Sequence, residues 1–154
     1  MRAEVGGGAV VPEILAKSPV PASEFSWWLP RHHKSAGFAR RLLRTFLAEE
    51  PGAERFLDDG QLVLGELVAN SVLHAKTPPG RLVFIRLSLC PDSLRIEVHD
   101  ADANQPAAHP ATEEAETGRG LWLVSQLAAS WGCRPRPGGI GKVMWALLEG
   151  GDAQ

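Results

Sequence analysis

The spacing of hydrophobic residues along the chain switches between a helical period and strict alternation, so it predicts both helices and strands. Phe38, Leu42 and Phe46 recur with the period of an amphipathic helix. Leu94 and Ile96 instead alternate with charged residues, which is typical of a strand with one buried face. Applied to the whole chain, these patterns predict helices over residues 34–49, 58–75 and 118–131 and strands over residues 25–29, 81–90, 94–100 and 142–148.

The order of these elements predicts an α+β fold in which helices pack on one face of a mixed, mainly antiparallel sheet. Glycine and proline are frequent in residues 1–24, which we expect to form a disordered N-terminal tail. Residues 25–149 would form one domain, and residues 150–154 a short C-terminal tail. Residues 101–117 show no period and are expected to form a long loop, which in compact domains is often functional.

Composition narrows the class of protein. The 154 residues include 16 basic and 18 acidic side chains, a net charge of −2, which argues against a strongly basic nucleic-acid binder. The apolar runs are far shorter than the ~20 residues that a membrane span needs. Two isolated cysteines, Cys90 and Cys133, are too few for a disulfide framework or a zinc site. These features predict a cytoplasmic protein that binds neither nucleic acid nor membrane directly.

The second predicted helix carries three polar residues on one face. Glu66, Asn70 and His74 are each four residues apart, so they stack along the helix beside its apolar stripe. There they could bind a solvated ligand or a metal ion, and Mg²⁺ would need only one amide oxygen together with phosphate oxygens and waters. The same spacing also fits three solvated residues of an ordinary amphipathic helix.

Two further features stand at the ends of predicted elements. Asp100 shares the parity of the buried positions of its strand, so its carboxylate needs a partner, either the amino group of a ligand or a backbone N–H in the following turn. Gly118, Arg119 and Gly120 precede an apolar helix whose free N–H groups could bind phosphate. The alternative for this Gly-x-Gly is a flexible joint between loop and helix.

Taken in order, these motifs resemble those of a known family. The segment Glu66-Leu-Val-Ala-Asn70-Ser-Val-Leu-His74-Ala is similar to the N box of the Bergerat-fold (histidine-kinase-like) ATPases, and Thr117-Gly-Arg-Gly-Leu121 is similar to their lid motif. With Ala39-Arg40-Arg41 in its first helix, the chain resembles the short, single-domain anti-sigma factor serine/threonine kinases and their actinobacterial relatives. The resemblance covers residues 25–149 and implies a Bergerat-type two-layer sandwich.

The resemblance implies a role for each candidate residue. Asn70 would hold the Mg²⁺ that bridges the phosphates of ATP, and Glu66 would be the general base toward a serine or threonine hydroxyl. Asp100 would accept a hydrogen bond from the adenine amino group, and Gly118–Gly120 would cover the phosphates. The implied function is transfer of the γ-phosphoryl group of ATP to an anti-sigma factor antagonist, with a sigma factor as a second partner and a homodimer as a further possibility.

Two boxes of the family differ in this sequence. Where Asp-x-Gly-x-Gly is usual, the chain has Asp100-Ala-Asp102-Ala-Asn104, which adds a negative charge near the expected nucleotide position. The last box reads Gly141-Lys142-Val143, so a hydroxyl that would help to bind adenine is absent. The alternative function is therefore a protein-binding module of the same fold without catalysis, or a nucleotide-gated switch.

Overall fold

The computed structural model describes residues 3–5, 8–10, 20–74, 82–100, 116–136, 138 and 140–150. The strands are β1 (Ala3–Val5), β2 (Gly8–Val10), β3 (Ser23–Pro30), β4 (Leu82–Cys90), β5 (Ser93–Asp100), β6 (Ser130–Pro135) and β7 (Lys142–Glu149). The helices are α1 (Ser35–Ala48), α2 (Leu57–His74) and α3 (Glu116–Leu127), and a 3₁₀ helix (Ala53–Phe56) leads directly into α2.

The strands form one sheet in the order β1-β2-β6-β7-β5-β4-β3. Among the five strands from β6 to β3, each strand is antiparallel to its neighbour. In contrast, β2 lies parallel to β6 through the single pair Ala9 and Ser130. On the helical side, α1 packs against β3, α2 against β5 and β7, and α3 against β6. The predicted α+β fold, with helices on one face of a mixed, mainly antiparallel sheet, is confirmed.

The core lies between the helices and one face of the sheet, and the neighbouring strands β4 and β5 supply most of the buried side chains of that face. Their alternating pattern turns every second side chain toward the helices. The predicted apolar stripe of α2 packs on the face that these side chains form. Burying one such side chain contributes roughly 1.5–3 kcal/mol, so this layer holds α2 firmly over the sheet. The fully buried residues are Val83, Ile85, Leu87, Leu94, Ile96 and Val98 from the strands and Val63, Leu64, Leu67 and Val68 from α2.

The helical segment begins before residue 58, where the pattern predicts the start of the second helix. A 3₁₀ helix precedes α2 there. Gly52 has a φ of 81°, and this left-handed turn, which glycine adopts at little cost, starts the 3₁₀ helix at Ala53. Asp58 and Asp59 therefore lie in the first turn of α2. Their charges still favour the helix there, because its N-terminal end carries a partial positive charge.

Short strands lie within the segment that we expected to be a disordered tail. β1 and β2 fall within residues 1–24, and β3 already begins at Ser23. The two N-terminal strands have three residues each, and an alternation of hydrophobic and polar residues cannot be recognised over so short a segment. Their pairing with each other and with β6 is a tertiary feature that the local pattern does not contain.

The helix predicted over residues 118–131 is wrong at both ends, because α3 spans Glu116–Leu127 and β6 follows it. The pattern missed β6 because the centre of this strand is Gly132, which carries no side chain. The indole of Trp145 explains the glycine, since a Cβ atom at Gly132 would lie 3.0 Å from Trp145 Nε1. Position 132 therefore needs a glycine because the Trp145 indole packs against it from the neighbouring strand.

The sheet face opposite the helices carries a buried charged cluster on β5. Arg95 Nε donates a hydrogen bond to Glu97 Oε2 over 2.8 Å, and His99 Nε2 lies 2.9 Å from Glu97 Oε1. The Arg95 guanidinium also lies over the Trp145 ring, 4.8 Å from its centroid. Burial alone would raise the pKa of Glu97, but the hydrogen bonds from His99 and Arg95 and the charges of these side chains lower it to about 2.

We expect Glu97 to make stability depend on pH in acid. Its folded pKa of about 2 lies below the ordinary value of 4.5, so its stabilising contribution is complete above pH 4.5 and is lost as the pH falls toward 2. Glu97→Gln should lower the free energy of unfolding at pH 7 by about 1–3 kcal/mol and weaken this pH dependence.

Denaturant unfolding at a series of pH values measures both effects. Glu149→Gln is the control, because Glu149 is exposed on the neighbouring strand β7. If Glu97→Gln and Glu149→Gln gave the same stability at pH 7, the buried cluster would not have the role described.

Candidate functional site

The candidate residues of α2 lie on one face of the helix, at the edge of its buried stripe. Glu66 and Asn70 are half-buried, whereas the residues that follow them, Leu67 and Ser71, are buried. The structure thus places both polar groups where their four-residue spacing predicts. His74 ends α2, and its side chain lies outside the described part of the chain.

Asp100 ends β5 on the face that the helices cover, and it is 1% exposed. Ser71 Oγ donates a hydrogen bond to Asp100 Oδ2 over 2.6 Å, and Lys142 Nζ lies 3.7 Å from the same oxygen. A buried carboxylate needs such partners, because burying a charge is costly unless another group compensates it. A single carboxylate therefore connects α2, β5 and β7. The turn that follows it lies outside the described residues.

Sequence reasoning missed two members of this cluster, Ser71 and Lys142. Ser71 occupies the apolar stripe of α2, so the pattern identified it only as a core position. The available signal was that a buried hydroxyl needs a hydrogen-bond partner. Lys142 stands directly opposite Asp100 in the register of β5 and β7, and its proximity follows from the sheet order rather than from any local motif.

The register also corrects the expectation for the last box. Val143 pairs with His99, so its side chain lies on the sheet face opposite to that of Asp100 and Lys142. A hydroxyl at position 143 would point away from Asp100 and from the helices. The absent hydroxyl therefore does not weaken this site, and Lys142 is the residue of the last box that reaches it.

α3 brings the glycine motif against α2. A Cβ atom at Gly120 would lie 2.5 Å from Glu66 Oε2, so the lack of a side chain lets the two helices approach here. Gly118 and Arg119 lie within α3, which begins at Glu116 rather than after the motif. The first four N–H groups of a helix have no intrahelical partner and attract anions, so the turn of α3 that precedes Gly120 offers groups that can bind phosphate.

Two contacts join elements that carry predicted residues. Glu66 adjoins Gly120, and the neighbour of Asn70, Ser71, bonds to Asp100. The side chain of Arg119 and residues 101–115, with Asp102 and Asn104, lie outside the described residues.

Comparison with known proteins identifies the kind of domain. A family model described as a histidine kinase-like ATPase domain matches residues 29–144, about three quarters of the chain. The chain belongs to this family. The resemblance to Bergerat-fold ATPases is therefore confirmed, and membership implies that the domain binds ATP. A search of curated proteins finds no match.

The residues of this histidine kinase-like ATPase domain fit a magnesium nucleotide. Asn70 and Glu66 present an amide oxygen and a carboxylate on one face, and Mg²⁺ prefers oxygen ligands while keeping several waters. The missing Cβ at Gly120 lets the Glu66 carboxylate lie close against the backbone of α3. In the described part of the chain, no three His, Cys, Asp or Glu side chains cluster to hold a metal. None of the described helices has the length and apolarity to cross a membrane.

A separate cavity of about 220 Å³ lies at the opposite end of the sheet from Asp100, between the β4–β5 turn and the 3₁₀ helix. Arg55 lines it, donates a hydrogen bond to the Pro91 carbonyl and lies 3.9 Å from Asp92 Oδ1. The cavity is smaller than the ~300–1,000 Å³ usual for ligand pockets. We therefore do not assign the nucleotide to it.

Ser71→Ala should destabilise the ATPase domain, because it removes the hydroxyl donor of a buried carboxylate. We expect the free energy of unfolding to fall by about 1–3 kcal/mol. Urea denaturation measures the change, with Thr45→Ala as the control, since the Thr45 hydroxyl is exposed and donates to the Arg41 carbonyl within α1. The control should change stability by less than about 0.5 kcal/mol, and an equal loss in both variants would contradict the importance of the Ser71–Asp100 bond.

Proposed function

We propose that the chain is a cytoplasmic, ATP-binding regulatory protein of the anti-sigma factor kinase type. It transfers the γ-phosphoryl group of ATP to a serine or threonine of an anti-sigma factor antagonist, and it holds a sigma factor in an alternative complex. The contact between Gly120 and Glu66, with Asn70 four residues further along α2, carries this proposal. It supports a site in which a carboxylate and an amide lie beside a phosphate-binding helix end.

The residues divide the chemistry between them. Phosphoryl transfer depends on positioning and charge neutralisation more than on covalent help, and bound Mg-ATP supplies the phosphoryl group. Glu66 takes the proton of the attacking hydroxyl as its oxygen bonds to the γ-phosphorus and ADP leaves, and Asn70 would hold the metal through its amide oxygen. The N–H groups at the start of α3 bind phosphate. Asp100, held by its bond to Ser71, accepts a hydrogen bond from the adenine amino group.

A second candidate function is a protein-binding module of the same fold that never transfers phosphate. Two observations favour it. Lys142 already compensates the charge of Asp100 from 3.7 Å, and the segment Asp100-Ala-Asp102-Ala-Asn104 lacks both glycines of the usual box. ATP binding without transfer to any partner would identify a nucleotide-gated switch, and no binding at millimolar nucleotide would identify a simple module.

The kinase proposal predicts that Glu66→Ala abolishes transfer without abolishing nucleotide binding. Loss of a general base lowers the rate by about 10²–10⁴-fold, whereas calorimetry should still detect Mg-ATP. Asn70→Ala should instead weaken Mg-ATP binding itself. Transfer of label from radioactive ATP to candidate antagonist proteins measures the first effect.

Glu54→Ala is the matched control for these variants, because Glu54 is an exposed carboxylate on the 3₁₀ helix away from α3. Equal labelling of the antagonist by wild type and Glu66→Ala would remove Glu66 from the role of base.

Self-association is part of the proposal, and β3 provides its surface. β3 forms one edge of the described sheet, and its Trp27 and Trp28 are 47% and 54% exposed. Natural edge strands are usually protected by lysine or other charges, yet Glu24 is the only charged residue of β3. Exposed tryptophans are frequent anchors of interfaces. Two copies can pair their β3 strands antiparallel about a two-fold axis, which keeps both helical layers on one side.

Trp28→Lys should therefore convert a dimer into a monomer, because each paired edge would exchange an exposed apolar ring for a charged ammonium group. Light scattering coupled to gel filtration measures the mass. Trp122→Lys is the control, since Trp122 is similarly exposed at 45% but lies on α3. A monomeric wild type, or a Trp28→Lys variant that stays dimeric, would contradict the assignment of this edge.

A further inference from the structure

The outward side of α2 carries leucines where a surface helix usually carries polar residues. Leu62 is 49% exposed and Leu73 is 68% exposed. Solvent-facing positions of an amphipathic helix are normally polar, and α1, on the same side of the sheet, exposes Arg40, Arg41 and Arg44. Because α2 is apolar on its outward side as well as in the core, its outer leucines need an explanation beyond the packing of the described residues.

These leucines share a narrow stripe with the candidate base. At 100° per residue, positions 62, 66, 69 and 73 of α2 fall within about 60° of one another around the helix axis. Glu66 and Ala69 are half-buried members of this outer stripe, between the two exposed leucines. A single exposed leucine is ordinary, but two that flank a proposed catalytic carboxylate on one helix face form a continuous apolar surface around it.

The position of this stripe determines what must cover it during transfer to a protein. A general base acts only within about 2.6–3.2 Å of the oxygen whose proton it takes. A hydroxyl on a folded protein can come so close to Glu66 only if the surface around that hydroxyl covers the neighbours of Glu66 on α2. One of these neighbours is Leu62, one turn earlier, and another is Ala69, which leads on to Leu73. The stripe is therefore continuous with the place where the acceptor would react.

We propose that Leu62, Ala69 and Leu73 form the docking surface for the protein that accepts the phosphoryl group, and that this protein presents apolar side chains beside its reactive serine or threonine. The inference deepens the proposed function and rests on it, because it takes Glu66 as the base. Between the two leucines the stripe carries no charge other than Glu66, so an acceptor with charged residues there would lose their hydration against apolar side chains. The leucines determine specificity and are not catalytic.

Label transfer at a series of acceptor concentrations tests the docking surface on the full chain. The acceptor is the antagonist protein that wild type labels from radioactive ATP. Leu62→Gln and Leu73→Gln keep a good helix former and remove the apolar contact. Burial of one leucine against a partner corresponds to about a tenfold or larger change in affinity. We expect the KM for the acceptor to rise about tenfold in each variant, while kcat and the affinity for Mg-ATP, measured by calorimetry, stay within about twofold of wild type.

Leu82→Gln is the matched control, because Leu82 is similarly exposed at 48% but lies on β4, and this variant should keep the wild-type KM. A wild-type KM in both α2 variants, a loss confined to kcat, weaker binding of Mg-ATP, or an equal rise of KM in the control would each overturn the docking surface and leave the proposed transfer intact. Absence of label transfer by wild type to any candidate antagonist would overturn the proposed function and this inference together.

Discussion

The buried carboxylate of Asp100 is the constraint on which the site depends. It lies where α2, β5 and β7 meet, and a charge there is tolerated only because Ser71 and Lys142 compensate it from two other elements. These contacts fix how α2 lies over the sheet, and α2 in turn carries Glu66 and Asn70. The same polar group therefore orders the local packing and provides the hydrogen-bond acceptor that the proposed nucleotide needs.

The close approach of α3 to α2 is the second feature of the proposed site. Gly120 lets α3 come near enough to Glu66 that even one methyl group would collide with its carboxylate. The apolar layer between the helices and the sheet includes side chains of both α2 and α3, so it holds both helices in place. The charged cluster around Glu97 lies on the opposite face of the sheet from Asp100.

Local patterns predicted the parts of the fold whose information is local. The alternation of β4 and β5, the apolar stripe of α2 and the common face of Glu66 and Asn70 all follow from residue spacing. The sequence did not predict β6, because Gly132 is explained by Trp145 of another strand, nor the pairing of Lys142 with Asp100, because register is a property of two strands. The parity of Asp100 predicted that it is buried, but only the tertiary structure supplied Ser71 as its partner.

The proposed nucleotide site lies between α2, α3 and the end of β5. The most direct measurement is a crystal structure of the chain with Mg²⁺ and a non-hydrolysable ATP analogue. We expect the adenine amino group to lie within hydrogen-bonding distance of Asp100, the metal to lie on the amide oxygen of Asn70, and the phosphates to lie at the start of α3. A nucleotide bound elsewhere, with Asp100 contacting only Ser71 and Lys142, would contradict it.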